Sequence, residues 1–200
     1  MTTKVYDGIR VLDFTQFQQG PVGTQFLADF GAEVIKIERP GAGDGFRGGK
    51  TGEEGFTSGF IACNRNKKSI TLNLKEERAK EIVYDLVKIS DVVVANFRPG
   101  VMEKLGFGYE ELSRIKPRII CAYGTGYGLT GPDRDTLGQD MMAQCRAGLV
   151  RGNPPRSCGF NLVDQFGGVL LATGVMLALA AREKTGKGQE MCCWFGPIAG

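Results

Sequence analysis

Histidine is missing from all 200 residues, and its absence removes the commonest general base, the Ser-His-Asp triads and most zinc sites. Whatever chemistry the chain performs has to run on carboxylates, thiols, lysine, tyrosine or the backbone. The six cysteines, Cys63, Cys121, Cys145, Cys158, Cys192 and Cys193, include no C-x-x-C pair. Met1 to Arg10 carries no apolar signal core, so free thiols in a reducing cytoplasm are expected. With no histidine to activate it, Cys145 or Cys158 reads as a buried or incidental thiol rather than a nucleophile.

Strong charge of either sign is lacking as well. A net charge of +3 and a pI near 8.5 are too mild for nucleic-acid binding through a bulk field, but they leave room for a compact polyanionic ligand. The G-x-G-x-x-G fingerprint is absent from the first turn, where Gln16-Phe17-Gln18-Gln19-Gly20-Pro21 stand instead, and the Walker pattern is absent too. A dinucleotide-dependent dehydrogenase is thereby weakened, although Glu38 lies at about the distance of a ribose-binding acid. Within the uncharged stretch Gln165 to Ala181, the apolar run Phe166 to Ala181 falls short of the ~20 apolar residues of a membrane span. Gly167, Gly168, Thr173 and Gly174 interrupt it, and the pattern predicts a buried helix, hydrophobic on all sides. Nucleic acid, membrane and metal are therefore not expected partners.

What the chain does have is glycine, 30 residues dispersed without a repeat, and 42% hydrophobic content, enough for one domain with a substantial core or for part of a larger one. Ile9 to Phe14 reads as a strand, Gly20-Pro21 opens a helix running to about Phe30, and Glu33 to Glu38 is the next strand. Gly41 to Gly59 reads as a long surface loop. Ser69 to Leu74, Asp91 to Ala95 and Arg118 to Tyr123 read as further strands. Glu76 to Ile89 reads as a helix, with short helices around Met102 and over Tyr109 to Ile115. Strands alternating with helices predict an α/β fold, a Rossmann-like mostly parallel sheet with flanking helices.

Such sheets bind ligands beyond the carboxyl ends of their strands. The loops at those ends hold Gln18, Arg39, Asn96, Arg98 and Tyr127, amides, cations and an aromatic ring suited to a nucleotide with phosphates. Each alone reads as a turn or surface residue, and their shared location singles out the set. Arg65, Lys67 and Lys68 form either a solvated basic loop or a phosphate contact. Asp164 is a single carboxylate opening an uncharged segment. It reads as a helix N-cap, or as a carboxylate that the helix dipole keeps ionised and presents to a ligand as nucleophile or charge partner.

Five blocks resemble the class III coenzyme A transferases, the family of formyl-CoA transferase and carnitine CoA-transferase. They are Val11-Leu12-Asp13-Phe14, Gly31 to Glu38, Asn64 to Leu74, Asn96-Phe97-Arg98-Pro99-Gly100 and Ala181 to Gln189. The resemblance runs from about Tyr6 to Gln189 and corresponds to the first half of family members. It divides the chain into residues 1–189, the N-terminal part of a large CoA-binding domain, and residues 190–200, a divergent truncated tail.

The resemblance implies that Asp164 is the catalytic carboxylate. It would attack an acyl-CoA thioester to give a mixed anhydride, and returning CoA thiolate would form an enzyme thioester that an acceptor carboxylate resolves. With an unperturbed pKa of about 3.9, an aspartate is expected to be ionised at neutral pH without a base. The implied CoA contacts are Gln18, Arg39, Leu72, Lys75, Asn96, Phe97, Arg98 and Lys104, with Tyr127 near the active site. Lys104 stands where an arginine is frequent, keeping charge but losing the planar fork. Coenzyme A or acyl-CoA is then a substrate, no cofactor is tightly bound, and a small carboxylic acid is the second partner. Family members form homodimers of interlocked rings. A racemase subgroup shifts a proton with a histidine whose position corresponds to Gln139, which cannot exchange one. Three other readings follow: an inactive CoA-binding lobe of the same family, an enzyme like the α-methylacyl-CoA racemases, and a non-enzymatic nucleotide-binding module.

Overall fold

The computed structural model describes residues 4–48 and 56–195. Six parallel strands form its sheet: β1 (Arg10–Asp13), β2 (Glu33–Glu38), β3 (Lys67–Thr71), β4 (Val92–Ala95), β5 (Ile120–Thr125) and β6 (Gln189–Trp194). Their spatial order is β3-β2-β1-β4-β5-β6, so the chain winds outward one way from β1 and the other way from β4. The carboxyl ends of β1 and β4 therefore diverge at a switch point, where doubly wound sheets open a crevice.

Among the described residues seven α-helices flank the sheet: α1 (Gln19–Asp29), α2 (Ser58–Asn64), α3 (Glu77–Lys88), α4 (Val101–Lys104), α5 (Tyr109–Ile115), α6 (Asp140–Arg146) and α7 (Leu162–Thr185). Because side chains alternate across a strand, each strand feeds two cores. Leu12, Val93, Ile119 and Cys121 pack with Val83 and Val87 of α3, Met102 of α4 and Leu112 of α5 on one face. Val11, Val34, Val92, Val94 and Ile120 pack with Leu27 of α1 and Leu171, Val175 and Ala178 of α7 on the other.

Several sequence expectations shift. The basic stretch is not a loop, because Lys67 and Lys68 belong to β3, which ends at Thr71 rather than Leu74. Part of the expected Gly41–Gly59 loop carries a 3-10 turn at Gly45–Arg47, and Ser58 opens α2, where the Thr57 hydroxyl accepts from the Phe60 N–H at 3.1 Å. Residues 49–55 of that stretch lie outside the described residues. The division at Gln189 does not appear in the sheet. Gln189 to Trp194, most of which falls in the expected tail, pairs along its whole length with β5.

The long helix also departs from expectation. α7 has 24 residues and an 18-residue window of mean hydropathy 1.7, long and apolar enough to cross a membrane by length and composition, a test that the core helix of a soluble protein also passes. It is not apolar and buried all round. One side packs on the sheet and on α1, and the other leaves Phe166 at 64% and Leu177 at 66% exposure. The α1 contact is close because both helices carry glycine there. A Cβ at Gly168 would stand 2.7 Å from the Gln19 carbonyl oxygen, and one at Gly23 would stand 2.9 Å from that of Gly168.

Candidate functional site at the switch point

Beyond the carboxyl ends of β1, β4 and β5 lies a cleft of about 470 Å³, bounded on its far side by α6 and the first turn of α7. Its walls are loops, and a buried charge network holds two of them in place. Asp13, the last residue of β1, is fully buried and accepts hydrogen bonds from Thr15 N–H at 2.9 Å, Thr24 Oγ1 at 2.6 Å and Lys67 Nζ at 2.9 Å. Burial pushes its carboxyl up, but Lys67, Lys36 and the two threonine hydroxyls outweigh that and hold it at about 2. Lys67 is thus neither a solvated side chain nor a phosphate contact. It is a buried counter-ion that also donates to the Pro21 carbonyl and the Asn64 side chain.

Lys36, on β2, donates to the Thr15 carbonyl at 2.6 Å and stands 2.8 Å from Asp44. Asp44 in turn accepts from the Phe17 N–H at 3.0 Å and the Phe46 N–H at 2.8 Å. Phe17 is held at φ +62°, a conformation most side chains avoid, and this arrangement stabilises it. Asn96 closes the set from β4. Its amide exchanges two hydrogen bonds of 2.8 Å with the backbone of Gln16, tying the loop after β1 to the loop after β4. Glu38 is occupied structurally rather than free for a ribose: Arg47, Ser69 Oγ and the Asp44 N–H all bond to it. These partners overcome the upward push of burial and hold its carboxyl at about 2.

Asp164 sits on the third residue of α7 and lines the cleft. It is not the N-cap, a position held by Asn161. The capping bond runs the other way: the Asp164 N–H donates to Asp140 Oδ1 at 2.9 Å, so the carboxylate of α6 satisfies the first turn of α7. Nor does Asp164 keep an ordinary carboxylate pKa. Burial first, and the like charge of Asp140 second, raise it to about 7. Asp140 is itself held from behind, because Gln144 Nε2 donates to its Oδ2 and to the Phe160 carbonyl, while Gln144 Oε1 accepts from the Cys158 N–H and thiol.

Of the residues singled out from sequence, Gln18, Asn96, Phe97, Arg98 and Asp164 line this cleft. The Gln18 amide oxygen accepts from Asn161 Nδ2 at 2.6 Å, and Arg98 stands exposed at the rim. The other five do not line it. Arg39, at the end of β2, is exposed and donates to the Gly43 carbonyl. Leu72 is buried in the core under α3, and Lys75 and Lys104 are exposed on that same side of the sheet. Tyr127 lies under the Arg146 guanidinium, 4.7 Å from its ring centroid.

Residue-by-residue reading missed Gln19, Phe46, Asp140, Gln144 and Asn161. Asp140 stood next to Gln139 in a stretch compared only for its missing histidine. Gln19 is 4% exposed, and its Nε2 has no hydrogen-bond partner among the described residues. An unpaired buried amide costs about 1–3 kcal/mol, so this is a feature that needs a reason.

A doubly wound parallel sheet with a half-buried carboxylate at its switch point and arginines at the rim defines an α/β protein whose cleft sets cations beside a carboxyl group. Comparison with known proteins makes that specific. The model of CoA-transferase family III matches residues 6–193, and the chain belongs to that family. It is 44% identical over 194 residues to an acetyl-CoA:oxalate CoA-transferase of Acetobacter aceti, covering 93% of this chain and 49% of that protein. A formyl-CoA:oxalate CoA-transferase of Rhodopseudomonas palustris is 43% identical, with 94% of this chain and 46% of that protein covered. Among solved structures, the Mycobacterium tuberculosis protein Rv3272 superposes with a TM-score of 0.90 at 40% identity, covering 98% of this chain and 56% of that one. A CAIB/BAIF family protein from Brucella suis gives 0.90 at 36% identity, covering 97% and 54%. The chain spans about half the length of the curated relatives it matches.

Proposed function

We propose that this chain carries the nucleophile of a CoA-transferase that moves CoA from an acyl-CoA to a carboxylic acid. The observation that carries the reading is the position of Asp164, half-buried in the cleft at the sheet's switch point. Asp164 Oδ adds to the thioester carbonyl carbon, whose π electrons move to oxygen. Collapse of that oxyanion breaks the C–S bond, releases CoA thiolate and leaves an acyl-aspartyl anhydride. Thiolate attack on the aspartyl carbonyl releases the first carboxylate and forms an enzyme thioester. The acceptor carboxylate attacks that thioester, and the displaced thiolate then takes the new acyl group while Asp164 is regenerated.

Coenzyme A is a substrate in this reading, and the exposed Arg98 and Arg134 at the rim suit its phosphates. The oxalate transferases among the relatives make a small dicarboxylic acid the first acceptor to try. A reducing cytoplasm is the location we propose, in keeping with six free cysteines. Racemase chemistry fits less well, because the cleft presents Gln139, an amide that cannot exchange a proton.

The test is direct. The protein is mixed with acetyl-CoA and followed by intact-mass spectrometry for a hydroxylamine-sensitive adduct, with peptide mapping to Asp164. An adduct that vanishes in Asp164→Ala supports the assignment. No adduct on the wild-type chain removes transferase activity from it, and CoA titration then asks whether a binding lobe remains. Arg98→Ala is expected to weaken that binding roughly tenfold, the loss of a charge-assisted contact.

A further inference from the structure

The amide of Gln19 is a buried group lining the cleft that neither the fold nor the reaction scheme uses. It opens α1, is 4% exposed, lines the cleft, and leaves Nε2 without a partner among the described residues. Two glycines on different elements make room for it. A Cβ at Gly124 of β5 would stand 2.7 Å from Gln19 Oε1, and one at Gly167 of α7 would stand 3.1 Å from Gln19 Nε2.

Gly167 lies one helical turn after Asp164, and residues three apart on a helix are neighbours. The unpaired amide therefore borders the same side of α7 as the carboxylate. Gln18, its neighbour in sequence, has its carbonyl oxygen taken by Asn161. Of the two amide nitrogens, Gln19 Nε2 is the one buried without a partner among the described residues, and a buried free donor calls for an oxygen acceptor.

We infer that Gln19 is a catalytic residue that donates from its side-chain amide to the acyl oxygen of the group being transferred onto Asp164. The inference rests on the transferase reading. When Asp164 Oδ bonds to the thioester carbon, the C=O π pair moves onto that oxygen. An amide N–H already in place stabilises the resulting charge until the C–S bond breaks and the C=O re-forms. The acyl oxygen thus supplies the acceptor that the protein does not, and free CoA, which has no acyl oxygen, does not.

Gln19→Met keeps the length of the side chain and removes the donor. Its acyl-adduct formation from acetyl-CoA is expected to slow roughly 10²-fold, the usual effect of losing one oxyanion donor, with CoA affinity and melting temperature held. In an Asp164→Asn background, which stops the reaction, the Gln19 side-chain ¹⁵N–¹H₂ resonance is assigned by its loss in Gln19→Met and titrated with acetyl-CoA and with CoA. It is expected to shift with acetyl-CoA alone. If wild type forms the adduct and Gln19→Met forms it equally fast, or melts earlier with parallel loss of CoA binding, the role of Gln19 fails and the transferase reading stands. If wild type forms no adduct, the transferase reading fails for this chain and the resonance decides. A shift with acetyl-CoA alone retains the acyl contact, whereas equal shifts or none overturn it.

Discussion

Asp164 combines two demands that oppose each other: a nucleophile has to be ionised, and a site that shelters an anhydride from water disfavours charge. Its pKa of about 7 is where they meet, with burial the larger cause and Asp140 the second. Adduct formation from acetyl-CoA should rise with pH and level off above about 7. Asp140→Asn, which removes the like charge and keeps an oxygen for the Asp164 N–H, should move that midpoint toward acid; an unmoved midpoint in rapid-quench mass spectrometry would rule out the like-charge contribution. Stability carries the same sign. Below the ordinary carboxyl value of 3.8 both folded and unfolded chains hold the proton. As pH rises toward 7 the unfolded chain releases it first, so folding loses free energy through that window and the loss is complete above it. Asp164→Asn should therefore raise the melting temperature at pH 8 and leave it nearly unchanged at pH 3.5. Asp13 behaves oppositely. Its carboxyl is held at about 2, so its contribution is present above the ordinary value of 3.8 and disappears as pH falls through 2. Asp13→Asn leaves Lys67 without its counter-ion and should cost about 3–5 kcal/mol in urea unfolding.

Between α1 and α7 the backbones approach across glycine, and this contact places the Asp164 turn against the loop after β1. Gly168→Ala puts a methyl 2.7 Å from both the Gln19 carbonyl and the Val22 side chain. Since one of these is backbone, the helices have to separate, and the expected cost is about 1–3 kcal/mol by urea unfolding. Adduct formation should slow in the same variant, because the misplacement is transmitted to residues 161–164. The apolar run of α7 was readable from composition, but its burial was not. Uncharged residues fill both its faces, so no polar side told which would meet the sheet, and Phe166, Val169, Leu170 and Leu177 came out exposed. In β3 the apolar alternation drew the strand two residues late, because Lys67 and Lys68 look like loop residues until their partners Asp13 and Glu33 are in place.

The exposed stripe along α7 gives the molecule an apolar surface, to which Trp194 on the edge strand adds another large side chain at 53% exposure. Contiguous apolar surface of this kind favours association. Sedimentation velocity should find concentration-dependent self-association of this chain, and the double variant Phe166→Lys, Leu177→Lys should abolish it without lowering CoA affinity; association that persists in the variant would place the contact elsewhere. Strand alternation, helix punctuation and the switch-point loops were legible in the order of residues, because each depends on neighbours within a turn or a strand. From them came the α/β class, the parallel sheet, the family resemblance and Asp164 as the carboxylate to examine. What the tertiary structure decided were contacts between distant segments: Asp164 with Asp140, 24 residues away, Asp13 with Lys67, 54 away, and Gln16 with Asn96, 80 away. A pKa, a buried counter-ion or an unpaired amide is a property of such meetings, since desolvation and Coulomb energy depend on distance in space. That is why Asp164 could be picked out in the chain as a carboxylate, while its raised pKa and the amide beside it emerged only once the sheet had brought α1, α6 and α7 together.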